Sequence, residues 1–536
     1  MLKIKRAVSL VWKSAPGWTA AHVVVTTIQS TLPFALLYII KSIVDNIALS
    51  LKLPDKTQIF SHILFLLIDA GIVMLLTHFS AVIAQICSET RSQRVTDYMQ
   101  ILLYKKAIEI DLEAYESPHY QDILERAKWE APHRPTRMLN NLTAGGQGAV
   151  TLLAIAGLLI SLHWGLICVL IVAAVPTMVV RLRQSKVMYN WHRHQTEVER
   201  KANYLGHLLL GSQPAKEIRL FNLGNMSIER FARIRGQPFR EKLAILTRQA
   251  SFQLLAQGCS GMVMLAAYGF IIHQTIYGRF QLGDLVLYSQ AFQRGQGAVQ
   301  SLLASLSGLH ENNLFLADVF EFLELQPTIV TPADPKLVPR PIQQGIVFED
   351  VSFRYQNSTR QAIERVNLSI APGEIVALVG ENGSGKTTLA KLLCRLYDPT
   401  DGRITIDGID LKQFSVTDLH RQIGAIFQDF TRYQFTVADN IWMGNIELPI
   451  DSARIAQAAR QSGADRTIEQ LPQGYETLLG KWFKGGEELS GGQWQKAVPA
   501  PIYLKLKQRI INNVFYFSIA SNVRSSSFTQ LSAIVL

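Results

Sequence analysis

The stretch EIVALVGENGSGKTTLAKLL, residues 374–393, decides what kind of domain the C-terminal part of this chain forms. Ile375 to Val379 has the short, apolar composition of a buried strand, and the residues from Thr388 onward have the periodicity of an amphipathic helix. Between them, Gly380 to Thr387 matches the pattern G-x-x-x-x-G-K-[ST] in full. A strand, this loop and a helix in that order predict a phosphate-binding loop.

The chemistry of the loop follows from its residue types. Glycines allow the backbone to turn successive amides toward one centre, and the N-terminus of the following helix adds a positive dipole end. Lys386 is expected to reach the β- and γ-phosphates of a nucleotide, and Thr387 offers a hydroxyl to Mg²⁺. The alternative interpretation is a glycine-rich turn with a chance lysine. The predicted phosphate ligands are Gly380, Asn382, Gly383, Ser384, Gly385, Lys386, Thr387 and Thr388.

The sequence around the loop predicts a soluble α/β domain. From residue 346 onward, short β-branched runs such as IVFEDVSFRY and RITIDG alternate with polar turns. Just upstream, residues 326–345 contain five prolines, a density that disfavours both helix and central strand. We interpret 326–345 as an extended linker, 346–498 as a partial nucleotide-binding domain and 499–536 as an atypical tail.

The first 325 residues predict a helical membrane domain. The chain of 536 residues is 48% apolar and only 18% charged, with a mean hydropathy of +0.14. Crossing a bilayer takes about 20 apolar helical residues. Six runs qualify, and the alternative is a soluble protein with buried helices. The runs are 20–44, 59–86, a 142–180 stretch broken into two at His163–Gly165, 251–272, and 282–306, the last interrupted by Gln293, Arg294 and Gln296.

The distribution of positive charge predicts the orientation in the membrane. Two long segments, 87–141 and 181–250, are rich in lysine and arginine, whereas the opposite loops carry only Lys52, Lys56 and Arg279. Such a bias places the basic segments, the N-terminus and the C-terminal domain in the cytoplasm of a multi-pass protein of the cell (plasma or inner) membrane. This bias accounts for the net charge of +11 without a nucleic-acid partner. Within the basic segments, 111–127 and 212–224 are predicted to turn as short connecting helices.

The motifs together resemble the ATP-binding cassette (ABC) exporters, specifically half-transporters whose membrane domain precedes the nucleotide-binding domain. The most specific mark is the signature LSGGQ at 489–493. The resemblance covers roughly residues 15–496. It implies ATP and Mg²⁺ as cofactors, a second half-transporter as partner (either an identical or a different chain), and transport of a substrate by ATP-driven alternating access.

The resemblance also implies roles for individual residues. Tyr355 in VSFRY occupies the place of an aromatic that stacks on adenine, and the alternative is an ordinary strand aromatic. Gln428 in AIFQDF occupies the place of a glutamine that senses metal and γ-phosphate, so the implied metal ligands are Thr387 and Gln428. The implied signature ligands of a partner-bound ATP are Ser490, Gly491, Gly492 and Gln493. Arg294 is costly in a bilayer and is interpreted either as a substrate contact or as a lining residue of the bundle.

The pattern breaks after about Lys496. ABC exporters carry a hydrophobic strand ending in Asp-Glu after the signature, and then a histidine that contacts the γ-phosphate. Residues 489–536 contain not one Asp, Glu or His, and Pro499 and Pro501 lie where the signature helix should continue. No catalytic residue is therefore found. We expect either loss of the reading frame, leaving a tail without partner structure and a domain incomplete at its C-terminus, or a purposeful shortened variant.

Two functions from different classes follow. The first is an ATP-hydrolysing exporter, an ABC-type ATPase and translocase. The second is an ATP-binding subunit deficient in hydrolysis, either regulatory or inert. A third alternative is a membrane-bound P-loop protein of another kind, such as a kinase, but the LSGGQ signature argues against it. The apolar runs do not distinguish among lipid, peptide and drug substrates.

Overall fold

A computed structural model describes residues 2–51, 57–162, 165–356, 358–381, 383–427, 429–497, 499–506, 516–520 and 532–535. The chain divides into two compact units. Unit 1 comprises residues 1–108 and 123–324, and unit 2 comprises residues 109–122 and 325–536. The short segment 109–122 thus belongs to unit 2 although it lies within the N-terminal half of the sequence. The domain limits given above from composition stay a prediction.

The N-terminal half is built from ten helices in the described residues. Their bounds are α1 Leu2–Ser14, α2 Pro16–Ser50, α3 Thr57–Glu109, α4 Leu112–Tyr115, α5 Pro118–Glu130, α6 Arg134–Leu162, α7 Gly165–Leu210, α8 Ala215–Leu220, α9 Leu223–Ile276 and α10 Leu282–Glu324. With 53 residues, α3 is about 80 Å long at 1.5 Å per residue, far more than a hydrocarbon core of about 30 Å. The long helices therefore extend beyond their apolar runs.

Five helices of the described chain are long and apolar enough to cross a membrane. They coincide with α2, α3, α6, α7 and α9. The predicted sixth span falls on α10, which is a continuous helix but does not reach the same hydropathy. The predicted turn within 142–180 falls on His163 and Trp164, which lie outside the described residues. The predicted connecting helices are found as α4 and α5 in the first basic segment and α8 in the second.

Some polar side chains between the helices of unit 1 form ion pairs and hydrogen bonds. An ion pair joins Lys41 Nζ in α2 to Asp284 at the start of α10, at 2.7 Å. Arg91 is fully buried and donates to His22 Nδ1 at 3.1 Å and to the amide oxygen of Asn140. Buried charged and polar groups need such partners, because a buried group without a hydrogen bond costs free energy.

Unit 2 contains two sheets with helices around them. The remaining bounds are β1 Ile346–Phe353, β2 Ile363–Ile370, β3 Ile375–Val379, α11 Lys386–Leu393, β4 Asp401–Ile406, β5 Ile409–Asp410, α12 Val416–Gln422, β6 Gly424–Ile426, α13 Val437–Trp442, α14 Ser452–Ser462, α15 Asp465–Glu469, α16 Gly491–Ala497, α17 Ala500–Leu506, β7 Tyr516–Ala520 and β8 Ser532–Val535. Short 3₁₀ turns lie at Leu411–Gln413, Met443–Asn445 and Gly474–Glu476.

The two sheets differ in direction. The first has the order β2-β1-β4-β5 and is antiparallel. The second has the order β3-β7-β8-β6, in which β7 runs parallel to β3 and β8 runs antiparallel to both of its neighbours. The core of unit 2 includes Ile346, Phe348 and Ile406 from the first sheet and Leu392 from α11. Helix α11, which begins at the phosphate loop, is therefore anchored through its apolar face.

The C-terminal residues contribute to this sheet, which differs from the expectation of a tail without partner structure. Residues Tyr516–Ala520 form β7, which is paired along its length with β3. With β8 it fills the space between β3 and β6, so the sheet is continuous in the described residues. The physical reason is that β3 and β6 present unpaired backbone groups, which any extended apolar segment can satisfy.

The segment directly after the signature helix is also packed. Pro501 is the second residue of α17, a position whose N–H would have no partner within the helix, so both prolines are accommodated by a break between α16 and α17. Ala500 is fully buried in a cluster with Leu489 and Trp494. Lys505 Nζ donates to the carbonyl oxygens of His420 at 2.8 Å and Ile423 at 2.7 Å. Residues 499–506 are therefore part of the packed domain.

A substitution at Gly444 tests this packing. A Cβ added there would lie 2.0 Å from the carbonyl oxygen of Pro501, so one backbone would have to move. We expect Gly444→Ala to destabilise unit 2 by about 1–3 kcal/mol and to raise hydrogen exchange in α17. Gly236→Ala in α9, where the methyl would meet open space, is the control. Unchanged exchange in α17 would show that residues 499–506 do not occupy this position.

The histidine beside α17 predicts a pH dependence. His420 Nε2 lies 2.9 Å from the carbonyl oxygen of Cys394, and burial lowers the pKa of His420, with the positive charges of Lys505 and Arg395 adding to the effect. In the unfolded chain His420 has a pKa of about 6.5. Below that pH the unfolded chain binds a proton at His420 and the folded chain does not, so the free energy of unfolding decreases as the pH falls. We expect the Tm of unit 2 to decrease from pH 7 to pH 5.5, and His420→Gln to reduce that decrease, whereas His310→Gln on an exposed face of α10 leaves it unchanged. An equal slope in the wild type and the His420 variant would contradict this.

Candidate functional site

The backbone of the phosphate loop adopts a conformation that requires glycine at two positions. Gly383 and Gly385 have φ angles of +85° and +88°, in the left-handed region that residues with a Cβ rarely adopt. At Gly385 there is also no space, because a Cβ would lie 2.5 Å from the carbonyl oxygen of Ala362. The chain can therefore pass from β3 directly into α11 and leave the first amides of that helix without intrahelical acceptors. Asn382, a predicted ligand, lies outside the described residues.

The lysine of the loop lies against the loop itself. Lys386 Nζ donates to the carbonyl oxygens of Gly380 at 2.8 Å and Glu381 at 2.7 Å, and to Ser384 Oγ at 3.3 Å. The structure thus brings Gly380, Ser384 and Lys386 together, while their role as phosphate ligands stays a prediction. Each of these acceptors is a neutral oxygen, whereas phosphate oxygens are charged and bind an ammonium about twice as strongly. The Lys386 ammonium is therefore held at the loop, and it can exchange its contacts with these oxygens for contacts with a phosphate.

The two threonines that follow are in different environments. Thr387 is exposed, and in the described part of the chain its hydroxyl has no hydrogen-bond partner. Thr388 is buried, and its Oγ1 lies 3.0 Å from the hydroxyl of Tyr355. Thr387 is therefore available to a ligand, whereas the hydroxyl of Thr388 is already engaged within the protein.

The predicted metal ligands can be tested only in part. Gln428 lies outside the described residues, and the rest of the described chain contains no cluster of three His, Cys, Asp or Glu side chains suited to a metal ion. The free hydroxyl of Thr387 is an oxygen donor of the kind Mg²⁺ prefers, and Mg²⁺ in nucleotide sites takes most of its other ligands from phosphate and water. The residues present therefore fit a magnesium ion that arrives with a nucleotide.

Tyr355 packs beside the loop through both its ring and its hydroxyl. Its ring meets Phe353 and Tyr397 edge-on, with centroids 4.8 and 5.5 Å apart, and the ammonium of Lys391 lies 5.8 Å from its centroid. The contact of its hydroxyl with Thr388 joins it to α11. Tyr355 therefore lies against the helix that begins at the phosphate loop, while its stacking on adenine stays a prediction.

The signature residues form the start of α16. Ser490 caps this helix, because the N–H of Gln493 donates to Ser490 Oγ at 3.3 Å and the N–H of Ser490 donates to Gln493 Oε1 at 2.7 Å. Leu489 and Trp494 on either side are buried and fix the turn in the domain. Gly491 and Gly492 are exposed with open space around them. Within the described chain, no hydrogen bond connects the signature to the phosphate loop.

Sequence reasoning missed a group of contacts beside the loop. The carboxylate of Asp111 accepts from the backbone N–H and hydroxyl of Thr328, and Glu116 forms an ion pair of 3.0 Å with Lys391 in α11. Leu112 packs against the core of unit 2. The segment 109–122 is therefore held to the helix that carries the phosphate loop. The available signal was the charge pattern of DLEAYE against the basic α11, which does not by itself specify a contact.

A cavity of about 530 Å³ lies beside this segment. It is lined by Leu112 and Glu116, by Lys391, and by Phe427 and Asp429, which flank Gln428. The phosphate-loop residues 380–388 are not among its described lining. The cavity thus adjoins the helix behind the loop rather than the phosphate site itself.

Comparison with known proteins shows what the fold and the loop are similar to. Residues 363–509 match the ABC transporter family. The subtilin transport ATP-binding protein SpaT of Bacillus subtilis is 28% identical over 481 residues, which cover 89% of this chain and 76% of that protein. An ATP-dependent lipid A-core flippase of Cupriavidus metallidurans is 41% identical over 177 residues, which cover 32% of this chain and 29% of that protein.

The three-dimensional comparison extends the likeness to the whole fold. The structure of a bacterial Atm1-family ABC exporter with ATP bound has a TM-score of 0.77 and 19% identity, and the match covers 91% of this chain and 85% of that one. The resemblance predicted from the motifs is thereby confirmed. The chain has the fold of an ABC exporter half-transporter, with an ABC transporter domain that follows a helical membrane domain.

The loop geometry predicts the effect of removing the lysine. We expect Lys386→Ala to weaken binding of a fluorescent ATP analogue by about 10- to 100-fold, since a charged hydrogen bond to phosphate contributes about 1.5–3 kcal/mol. Lys412→Ala, which removes an exposed lysine of the same domain, is the control and should leave the affinity unchanged. Equal affinity of the Lys386 variant and the wild type would show that the loop does not bind nucleotide.

Proposed function

We propose that this chain is one half of an exporter that binds ATP at residues 380–388 and uses binding to drive alternating access of its membrane domain. The observation that carries the proposal is that one chain contains both a phosphate loop with free helix-terminal amides and a helical membrane domain with the fold of an exporter. Binding of ATP between two nucleotide-binding domains would favour one conformation of the helices, and its release the other.

The roles of the site residues belong to this proposal. The loop ligands Gly380, Asn382, Gly383, Ser384, Gly385, Lys386 and Thr387 hold the phosphates through backbone amides and the ammonium, Thr388 supports the start of the helix, and Tyr355 stacks on adenine. Ser490, Gly491, Gly492 and Gln493 of one chain face the ATP held by a second half-transporter. The exposed glycines at the start of α16 support this role, because a phosphate can approach their amides closely.

Magnesium and orientation complete the proposal. Mg²⁺ would reach the site with ATP, held by Thr387 and Gln428, and would neutralise phosphate charge. The N-terminus and the nucleotide-binding domain would lie in the cytoplasm, which the excess of lysine and arginine in segments 87–141 and 181–250 supports.

One observation favours a variant of this function. Residues 489–536 contain no Asp, Glu or His, and β7, the strand beside β3, is followed by Ser521 rather than by a carboxylate. A water attacking the γ-phosphate needs a residue to orient it and a metal shell to stabilise the charge. We therefore propose, as the second candidate, a subunit that binds ATP and does not hydrolyse it.

The relatives suggest a substrate class for testing. The subtilin transporter aligns with 89% of this chain, whereas the flippase aligns with 32%. Substrates of exporters are contacted by the membrane domain, so the alignment that spans both domains carries more weight. We propose a substrate related to subtilin as the first to be assayed.

ATP turnover by the purified chain in lipid vesicles separates the two candidates. If the chain is hydrolysis-deficient, we expect it to bind the fluorescent ATP analogue while phosphate release stays at the level of Lys386→Ala. Turnover that exceeds that level and is lost in Lys386→Ala would reject the second candidate and support the hydrolysing exporter. Absence of nucleotide binding by the wild type would reject both.

A further inference from the structure

A groove in unit 1 lies between α7 and α9, away from the phosphate site. Its volume is about 440 Å³. Most of its wall is apolar, formed by Val179, Val180, Val187, Ala244, Ile245 and Phe252. The two helices are tied together at its base, where Gln184 Nε2 donates to the carbonyl oxygen of Gln249 at 3.2 Å. The groove is therefore a built apolar surface between two connected helices.

Two arginines enter the groove from opposite helices at the same depth. Arg183 lies three residues after Val180, the end of the apolar run of α7, and Arg248 lies three residues before Ser251, the start of the apolar run of α9. At 1.5 Å per residue, each stands about 4.5 Å outside the apolar region. This is the depth of lipid phosphates, since the headgroup layers add only about 5–7 Å to each side of the hydrocarbon core.

In the part of the chain that the structure describes, no carboxylate neutralises the charges of these two arginines. Both side chains are exposed, and within the described residues neither forms an ion pair. Arg248 lies over the ring of Phe252, with its guanidinium carbon 5.8 Å from the centroid, which leaves the fork of N–H donors available. A guanidinium binds a phosphate through two parallel hydrogen bonds, and two guanidinium groups across a groove match one negatively charged headgroup.

We propose that the α7–α9 groove binds an anionic phospholipid, with the phosphate between Arg183 and Arg248 and an acyl chain along the apolar wall toward Val179 and Phe252. The complementarity of charge and depth favours this occupant over a second copy of the chain, which would have to provide a carboxylate at the headgroup level. Binding there would hold α7 and α9 together at the point where both helices leave the membrane and enter the second basic segment, 181–250. The site depends on residence in a membrane and is independent of ATP turnover.

Lipid retention by the full-length protein tests this site. The wild type is reconstituted with equal parts of phosphatidylglycerol and phosphatidylcholine, extracted in mild detergent, and its bound lipids are identified by native mass spectrometry. We expect phosphatidylglycerol to be enriched, and the double variant Arg183→Gln/Arg248→Gln to lower that enrichment by up to about 30-fold, since each arginine near an anionic surface contributes about fivefold. Arg183→Lys/Arg248→Lys keeps the charges and should retain most of the enrichment.

The matched control is Arg230→Gln/Arg233→Gln, which removes two exposed arginines of α9 outside the groove. It should retain phosphatidylglycerol as the wild type does, and thermal unfolding establishes that all variants are folded. The proposal is overturned by equal retention of both lipids in the wild type or by unchanged enrichment in the groove variant. It is equally overturned if the groove variant changes the oligomeric state while lipid retention stays constant, because the occupant would then be a second copy.

Discussion

Two left-handed glycines at the end of one strand are the constraint on which the nucleotide site depends. Because Gly383 and Gly385 take φ angles near +85°, β3 can turn into α11 within a few residues, and the first amides of that helix stay unpaired. The apolar face of α11 then anchors the loop in the core of unit 2 through Leu389, Leu392 and Leu393. The phosphate site is thus a rigid junction whose position is fixed by hydrophobic packing and whose chemistry is supplied mainly by the backbone.

The same helix connects the site to the segment that interrupts the membrane helices. Glu116 pairs with Lys391, Leu112 enters the core, and Asp111 binds the chain at Thr328. Lys391 also lies near Tyr355 and Tyr397, so one lysine contacts both the connecting segment and the aromatic group beside the loop. Tyr355 and segment 109–122 are therefore linked through contacts with the same lysine.

The elements that sequence reasoning predicted best are those encoded locally. The phosphate loop, the amphipathic α11, the connecting helices and most of the long apolar helices follow from residue type and period. The contacts of Asp111 and Glu116 could not be predicted, because they join positions more than 200 residues apart and ordinary charged side chains give no directional signal. The pairing of β7 could not be predicted for another reason. The composition of the C-terminal residues indicated that catalytic groups are absent. The pairing of β7 with β3, however, depends on backbone hydrogen bonds, which any extended apolar segment can form.

The C-terminal strands can support the sheet through their backbone without providing catalytic side chains. A strand beside β3 completes the hydrogen bonds of the sheet whatever its sequence, so the strand that carries the phosphate loop can be supported without any selected residue in β7. Hydrolysis has no such tolerance, because orienting a water molecule and holding a metal shell need particular carboxylate and imidazole groups at fixed places. A domain of this composition can therefore keep the fold and the phosphate cradle while the groups for turnover are absent from residues 489–536. Binding and hydrolysis of ATP are separable in this fold, because binding uses main-chain amides and one lysine of the loop, whereas hydrolysis needs carboxylate and imidazole side chains elsewhere.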